Sequence, residues 1–187
     1  MKKLLSLALF LCVLCLSFAY ADSSPVVSDG SPLEFDDFTL TPEPGMIYVL
    51  GENTPGKTIV TVYPLAASGD TATNLNFVYH GAPFDESVDY VDAHKEQIKD
   101  GVIKTAEAYG YSVTSLDYGD CVVSQFGEKP CVYFDGVTSV DINGTPLTIC
   151  QRGYFLGSIG YEVSVTAADM ETVDIVAFQL DAMLRWK

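Results

Sequence analysis

The chain has 187 residues, of which 48% are hydrophobic and 19% charged. It can therefore bury a core, and the composition excludes a disordered or collagen-like chain. Lysine and arginine number 10 against 25 for aspartate and glutamate, so the formal net charge is −15. Because so acidic a surface repels phosphate backbones and anionic lipid headgroups, nucleic acid and membrane surfaces are excluded as partners.

The first 21 residues have the pattern of a cleaved signal peptide. Lys2 and Lys3 precede a nearly continuous apolar run over 4–18, and 19–21 fit the small-x-small cleavage motif. The run is short for a membrane span of about 20 residues, and no positive cluster follows it. We expect a secreted or extracytoplasmic protein of the cell envelope, with no membrane insertion after cleavage.

Two further divisions of the chain follow from its composition. Residues 22–35 are rich in serine, proline, aspartate and glycine and lack hydrophobic periodicity, which predicts a flexible leader. No internal repeat and no later linker is visible. Residues 36–187 are therefore expected to form a single α+β domain.

A Walker A-like motif lies between two predicted strands, over 46–50 and 57–64. Its four defining positions are filled by Gly51, Gly56, Lys57 and Thr58. A phosphate-binding loop needs a helix to begin at the lysine, because the helix N-terminus helps to hold the anion. A β-branched run follows instead, and the Pro-Gly pair before Lys57 suits a type II turn. We interpret the motif as a hairpin turn and expect no cofactor.

After a strand over 74–79, the hydrophobic period changes from two to that of a helix. Apolar residues at Val88, Val91, Ile98 and Val102 predict a helix over about 85–109. The predicted helix starts with several carboxylates, which its dipole favours at that end. The simplest interpretation of these carboxylates is a solvated helix end.

The chain has two histidines, His80 at the end of a predicted strand and His94 within the predicted helix. As metal ligands they would need a third partner such as Asp85, Asp89 or Asp92, and as hydrolase bases they would need nearby carboxylates. The acidic helix start, which also contains Glu86, could hold calcium, although the EF-hand pattern is not met. No Gly-x-Ser-x-Gly elbow supports a hydrolase nucleophile, and no complete metal-ligand pattern is present, so the sequence assigns no catalytic and no metal-binding residue.

From residue 111 onwards the pattern is that of a β meander. Strands are predicted over about 111–117, 120–126, 130–142, 145–155 and 161–166, and a second helix over about 168–185. Asn143-Gly144 predicts a two-residue hairpin. Its register places Asp135 opposite Arg152 as an opposite-charge pair.

Three cysteines, Cys121, Cys131 and Cys150, remain after signal cleavage, so at least one is unpaired within the chain. The hairpin register puts Cys150 about six residues along the sheet from Cys131, which is too far for a bridge. A disulfide between Cys121 and Cys131 stays open. The alternative is that all three are small buried apolar residues.

The order of strands, helix, strands and helix predicts an α+β fold, with hairpins dominating. We expect a mainly antiparallel sheet of about 6–8 strands and two principal helices, arranged as an α/β/α sandwich. Three stretches are characteristic: 74–78 leading into the helix at 85–88, the meander around 127–130, and the helix ending at 180–184. Over roughly 36–186, this order resembles the Mog1/PsbP-like α/β sandwich of bacterial DcrB- and LpqN-like envelope proteins. The resemblance implies an accessory or binding protein without catalytic machinery, and it supplies no site residue.

These observations leave three functional hypotheses. The leading one is a secreted, non-enzymatic accessory or binding protein of the cell envelope with an unidentified protein or glycan partner. The second is a secreted hydrolase that uses His80 or His94 with nearby carboxylates. The third is a calcium-dependent extracellular module.

Overall fold

The computed structural model describes residues 24–64 and 73–187, so the predicted signal peptide over 1–21 lies outside the described residues. In chain order the strands and helices are β1 (Val26–Val27), β2 (Leu33–Glu34), β3 (Phe38–Leu40), β4 (Ile47–Leu50), β5 (Lys57–Tyr63), β6 (Asn74–Tyr79), α1 (Val88–Ala108), β7 (Ser112–Tyr118), β8 (Val122–Phe126), β9 (Lys129–Ile142), β10 (Thr145–Leu156), a 3₁₀ turn (Gly157–Ile159), β11 (Tyr161–Ala167), α2 (Met170–Met183) and β12 (Leu184–Trp186).

The main sheet is antiparallel, with the strand order β1-β4-β5-β6-β11-β10-β9-β7. Strand β8 also pairs with β9. A smaller sheet has the order β12-β3-β2. The main sheet thus has nine strands within the described residues, one more than expected, because two-residue strands such as β1 leave no periodic pattern in the sequence.

The register of the long β9–β10 hairpin is the predicted one. Asp135 pairs with Arg152, and Ile142 pairs with Thr145 across the turn. Asn143 and Gly144 both have positive φ angles, of 55° and 84°. Two successive positive φ angles are typical of the type I′ turn, whose twist matches that of the two strands it joins. The hairpin prediction is therefore confirmed.

The two helices lie on opposite faces of the main sheet. Successive side chains of a strand point to opposite faces. On β9, Cys131 and Tyr133 accordingly belong to the core beneath α2, while Val132 and Phe134 belong to the core beneath α1. The predicted α+β fold with two principal helices is confirmed as a three-layer sandwich.

Both helices begin later than their hydrophobic patterns indicated, because a side chain caps each start. The Ser87 hydroxyl accepts from the Tyr90 N–H (3.3 Å), and the Asp169 carboxylate accepts from the Thr172 N–H (2.7 Å). Helix α2 ends at Met183 rather than near 185. The chain continues as β12, which pairs with β3.

Residues 24–35 differ from the predicted flexible leader. They contain β1, which pairs with β4, and β2, which pairs with β3. Such short strands are held by their neighbours rather than by a pattern of their own, so composition alone indicated a flexible segment.

The Walker A-like segment forms the loop between β4 and β5. The Lys57 N–H donates to the Thr54 carbonyl (3.0 Å), and Gly56 has a φ of +77°. These are the hydrogen bond and the left-handed glycine of a type II turn. A strand, β5, begins at Lys57, where a phosphate-binding loop requires a helix.

Cys121, Cys131 and Cys150 are free thiols. Cys121 packs against the core beneath α1, whereas Cys131 lies in the core beneath α2. The disulfide that the sequence left open is therefore not formed, because the sheet separates the two sulfur atoms. Cys121 Sγ instead donates to Asp92 Oδ1 at 3.2 Å.

Candidate functional site

The loop between β6 and α1 is held against the 3₁₀ turn that precedes β11. The His80 N–H donates to the Gly160 carbonyl, and the Phe84 N–H donates to the Gly157 carbonyl, both at 2.9 Å. A Cβ atom at Gly157 would overlap with the Phe84 carbonyl oxygen, and one at Gly160 would lie 2.7 Å from a backbone oxygen of the loop. The two glycines thus allow the close approach that positions the side chains of His80 and Phe84.

The imidazole of His80 faces the carboxylate of Glu162 on β11. His80 Nε2 lies 3.4 Å from Glu162 Oε2, but the geometry is not that of a hydrogen bond, and neither atom has a hydrogen-bond partner within the described residues. Glu162 is only 4% exposed, whereas 32% of the His80 side chain is exposed. A buried carboxylate is costly unless it is paired and hydrogen-bonded. The burial of Glu162 thus carries a desolvation cost that no hydrogen bond to its Oε2 atom offsets.

A continuous series of aromatic rings runs from this pair along α1 and back to β10. In order, its rings belong to His80, Phe84, Tyr90, His94 and Phe155. Successive centroids lie 4.9, 6.1, 6.3 and 5.5 Å apart. His80 contacts the Glu162 carboxylate and Phe155 is the cross-strand neighbour of Glu162, so the series begins and ends at neighbours of this residue. These five residues and Glu162 are called the Glu162 site below.

A row of buried polar side chains occupies the same face of the sheet. Thr61 Oγ1 donates to Asn76 Oδ1 (2.7 Å), and Asn76 Nδ2 donates to Asn74 Oδ1 (2.6 Å). All three side chains are buried. These residues bond to one another, as buried polar groups normally do. Glu162 Oε2 differs from these three side chains because it is buried without a hydrogen-bond partner.

The structure brings only some of the sequence-predicted residues together. His80 and His94 both belong to the Glu162 site, as the first and the fourth ring of the series. The three carboxylates that the sequence offered as partners for these histidines do not contact them in any interaction recorded for the described residues. Asp85 accepts from the Ser87 N–H (2.8 Å), Asp92 pairs with Lys95 (2.6 Å), and Asp89 is an exposed residue of the first turn of α1.

Sequence analysis missed Glu162, the carboxylate that does approach a histidine. It lies far from His80 along the chain, and only the pairing of β6 with β11 brings the two together. One feature of the sequence could have indicated it: Glu162 is the single charged residue of β11. The other residues of this strand are Tyr161 and small or apolar residues. A charge inside a buried strand is uncommon and usually has a partner.

An imidazole beside a carboxylate can bind a ligand by charge and hydrogen bonds, or can act as a base. Within residues 24–64 and 73–187, no three histidine, cysteine, aspartate or glutamate side chains are placed to hold a metal ion. Over the same part of the chain, no helix has the length and apolar character of a membrane span.

The described residues define an α+β protein with an α/β/α sandwich. No family model matches the chain, and no curated protein matches it in sequence. Among solved structures, it is similar to the solution structure of cyanobacterial PsbP (CyanoP) from Synechocystis sp. PCC 6803, with 12% sequence identity and a TM-score of 0.46. The match covers 91% of this chain and 96% of that one. PsbP has the fold that the order of elements resembles, and the similarity concerns the fold alone.

Proposed function

We propose that the protein is a secreted or cell-envelope accessory protein without catalytic activity, and that it binds a ligand at the Glu162 site. The observation that carries the proposal is the Glu162 carboxylate, which is buried, has an unbonded oxygen and lies beside a partly exposed imidazole. A feature that destabilises a fold is retained where it serves binding or catalysis. The apolar run over 4–18 and the cleavage motif at 19–21 support the extracytoplasmic location.

Thermal unfolding with a ligand panel tests the binding proposal. The panel contains Ca²⁺, Zn²⁺, EDTA, MgATP, common glycans, and small organic cations, anions and neutral compounds. A ligand at about 100 times its Kd adds roughly 2.7 kcal/mol, which raises the Tm by several degrees. We expect at least one compound to raise the Tm of the wild type but not that of Glu162→Gln.

The matched control is Glu52→Gln, which makes the same charge change at an exposed residue of the β4–β5 loop. This variant should respond to the ligand as the wild type does. The proposal would be contradicted if no compound raised the Tm of the wild type, or if Glu162→Gln showed the same increases in Tm.

The location is tested separately by the mass of the exported protein. Cleavage after residue 21 leaves Asp22 as the first residue. A chain found in the cytoplasm with its first 21 residues intact would refute the predicted export.

The short distance between His80 and Glu162 favours one second candidate, a hydrolase. In hydrolases a carboxylate orients a histidine that activates a hydroxyl or thiol. The described side-chain contacts of His80 are with Glu162 and the Phe84 ring, neither of which carries such a group. A screen of ester, peptide and glycoside substrates tests this candidate. Turnover by the wild type that is lost in His80→Gln would establish the hydrolase instead.

A further inference from the structure

We propose that the ligand of the Glu162 site is a small organic cation carrying an alkylammonium group. This inference rests on the proposed function and names its ligand class. It joins two features of the site, a buried carboxylate with an unbonded oxygen and a series of aromatic rings that begins and ends at neighbours of Glu162.

The Glu162 carboxylate indicates that the ligand is positively charged. Within the described residues, the one basic side chain recorded within 4 Å of the Glu162 carboxylate is His80, and that contact lacks hydrogen-bond geometry. The net charge of −15 adds a long-range field that attracts cations and repels anions. An anionic ligand would add a second negative charge beside a buried one, whereas an ammonium group would neutralise it.

The rings set the chemical class of the cation. The face of an aromatic ring is negative and attracts ammonium groups within about 6 Å of its centroid. Tyr90 is 40% exposed and Phe84 is half-buried, so both rings are partly accessible to solvent. A hydrated metal ion gains little from such rings and would need more oxygen or nitrogen ligands than this site offers. An alkylammonium group uses both the carboxylate and the rings.

The partly exposed imidazole marks the route of entry. The carboxylate that it faces, that of Glu162, is buried. Because no hydrogen bond holds His80 to Glu162, a small rotation of the imidazole would admit a cation to the carboxylate. The ring of Phe84, which packs edge-on against His80 at 4.9 Å, would then line the entrance.

The test compares choline with its neutral isostere 3,3-dimethyl-1-butanol, and butylamine with 1-butanol, by calorimetry on the purified full protein. We expect both cations to bind and both neutral alcohols to give no heat of binding. Since losing one partner of a buried charge pair is costly, Glu162→Gln should weaken choline binding about tenfold or more. Glu52→Gln should leave it unchanged.

A ring variant makes the second comparison. Phe84→Leu keeps an apolar side chain but removes the ring, and should weaken choline binding about threefold. The matched control is Phe178→Leu on the exposed face of α2, where the phenylalanine is 80% exposed. Equal binding by Phe84→Leu and Phe178→Leu would overturn the role of the ring.

The comparison of each cation with its alcohol uses the wild type alone, so it stands even if a variant fails to fold. In another outcome, neither cation binds while a compound of another class binds to the wild type and not to Glu162→Gln. The proposed ligand class would then be wrong, and the proposed function would stand. If no compound depends on Glu162, both are wrong. Equal binding of choline and its alcohol overturns the cation proposal directly.

Discussion

Arg152 donates two parallel hydrogen bonds to Asp135, from Nε to Oδ1 at 2.6 Å and from Nη2 to Oδ2 at 2.9 Å. Its third nitrogen, Nη1, lies 2.9 Å from Asp174 Oδ1 on α2, and the guanidinium lies 5.0 Å from the centroid of the Tyr133 ring. The hydrogen bonding to Asp135 raises the pKa of Arg152 further above its ordinary range. One side chain therefore ties β9 and β10 to the helix that covers them.

The two carboxylates on Arg152 should contribute unequally to stability. The bond to Asp135 is bidentate and the side chain is 38% exposed, whereas the contact to Asp174 is single and that side chain is 64% exposed. We expect Asp135→Asn to lower the free energy of unfolding by about 1 kcal/mol and Asp174→Asn by about 0.3 kcal/mol. Urea unfolding measures both. Equal losses would contradict the bidentate interpretation.

Glu162→Gln should unfold in urea at the same or a higher midpoint than the wild type when no ligand is present. Removing a charge from a buried site that leaves one carboxylate oxygen unbonded relieves a desolvation cost. Glu52→Gln should leave the midpoint nearly unchanged, since that residue is exposed. A loss of about 2 kcal/mol or more in Glu162→Gln would mean that the His80 pair is structural.

One substitution should have opposite effects at two glycines. Gly56 has a φ of +77°, so Gly56→Ala should cost about 1 kcal/mol of stability. Gly101 lies exposed within α1, so Gly101→Ala should add roughly 0.5–1 kcal/mol. A Cβ atom meets nothing within 4 Å at either position, which leaves backbone conformation as the cause. Thermal unfolding gives both signs, and a shared sign would contradict the assigned conformations.

The Cys121 thiol should react slowly with iodoacetamide at neutral pH. Burial, and then the hydrogen bond to Asp92, raise its pKa to about 11. The reactive thiolate is therefore scarce, and the rate should rise about tenfold per pH unit between pH 7 and 9. Peptide mapping by mass spectrometry follows this thiol alone. A rate that levels off near pH 8.5 would show an ordinary thiol.

The variant Asp92→Asn tests the cause of that slow reaction. It removes the negative charge that opposes the thiolate and leaves Lys95, which favours it. Alkylation of Cys121 should therefore be faster at each pH. Cys131 serves as the internal control, because burial is the main cause that raises its pKa to about 12. Its rate should not change.

The parts of the fold predicted from the sequence are those specified by neighbouring residues. The Asn143-Gly144 turn determined the β9–β10 register, and with it the pairing of Asp135 with Arg152. The helix periods located α1 and α2, although their first residues depended on the caps at Ser87 and Asp169. Each of these signals lies within a short stretch of chain.

The candidate site was only half predicted, because it depends on contacts between distant segments. His80 and His94 were evident as the two histidines of the chain. Their placement on one ring series, and the approach of Glu162, required the pairing of β6, β11 and β10. Asn74 and Asn76 are the polar residues of the alternating pattern on β6, and both are fully buried. Alternation predicts a strand but not what covers each face.

The pairing of β3 with β12 also governs when the chain can fold. Phe38, fully buried, pairs with Trp186 across the small sheet, and the indole N–H of Trp186 donates to the Phe126 carbonyl (3.1 Å). At about 5–20 residues per second, a ribosome makes residue 186 on the order of ten seconds after residue 38. During that interval the early strand lacks its partner, and this side of the core stays open. Folding is thus completed only after synthesis has passed β12, and in the export that we propose this delay would help the chain to enter a translocation channel.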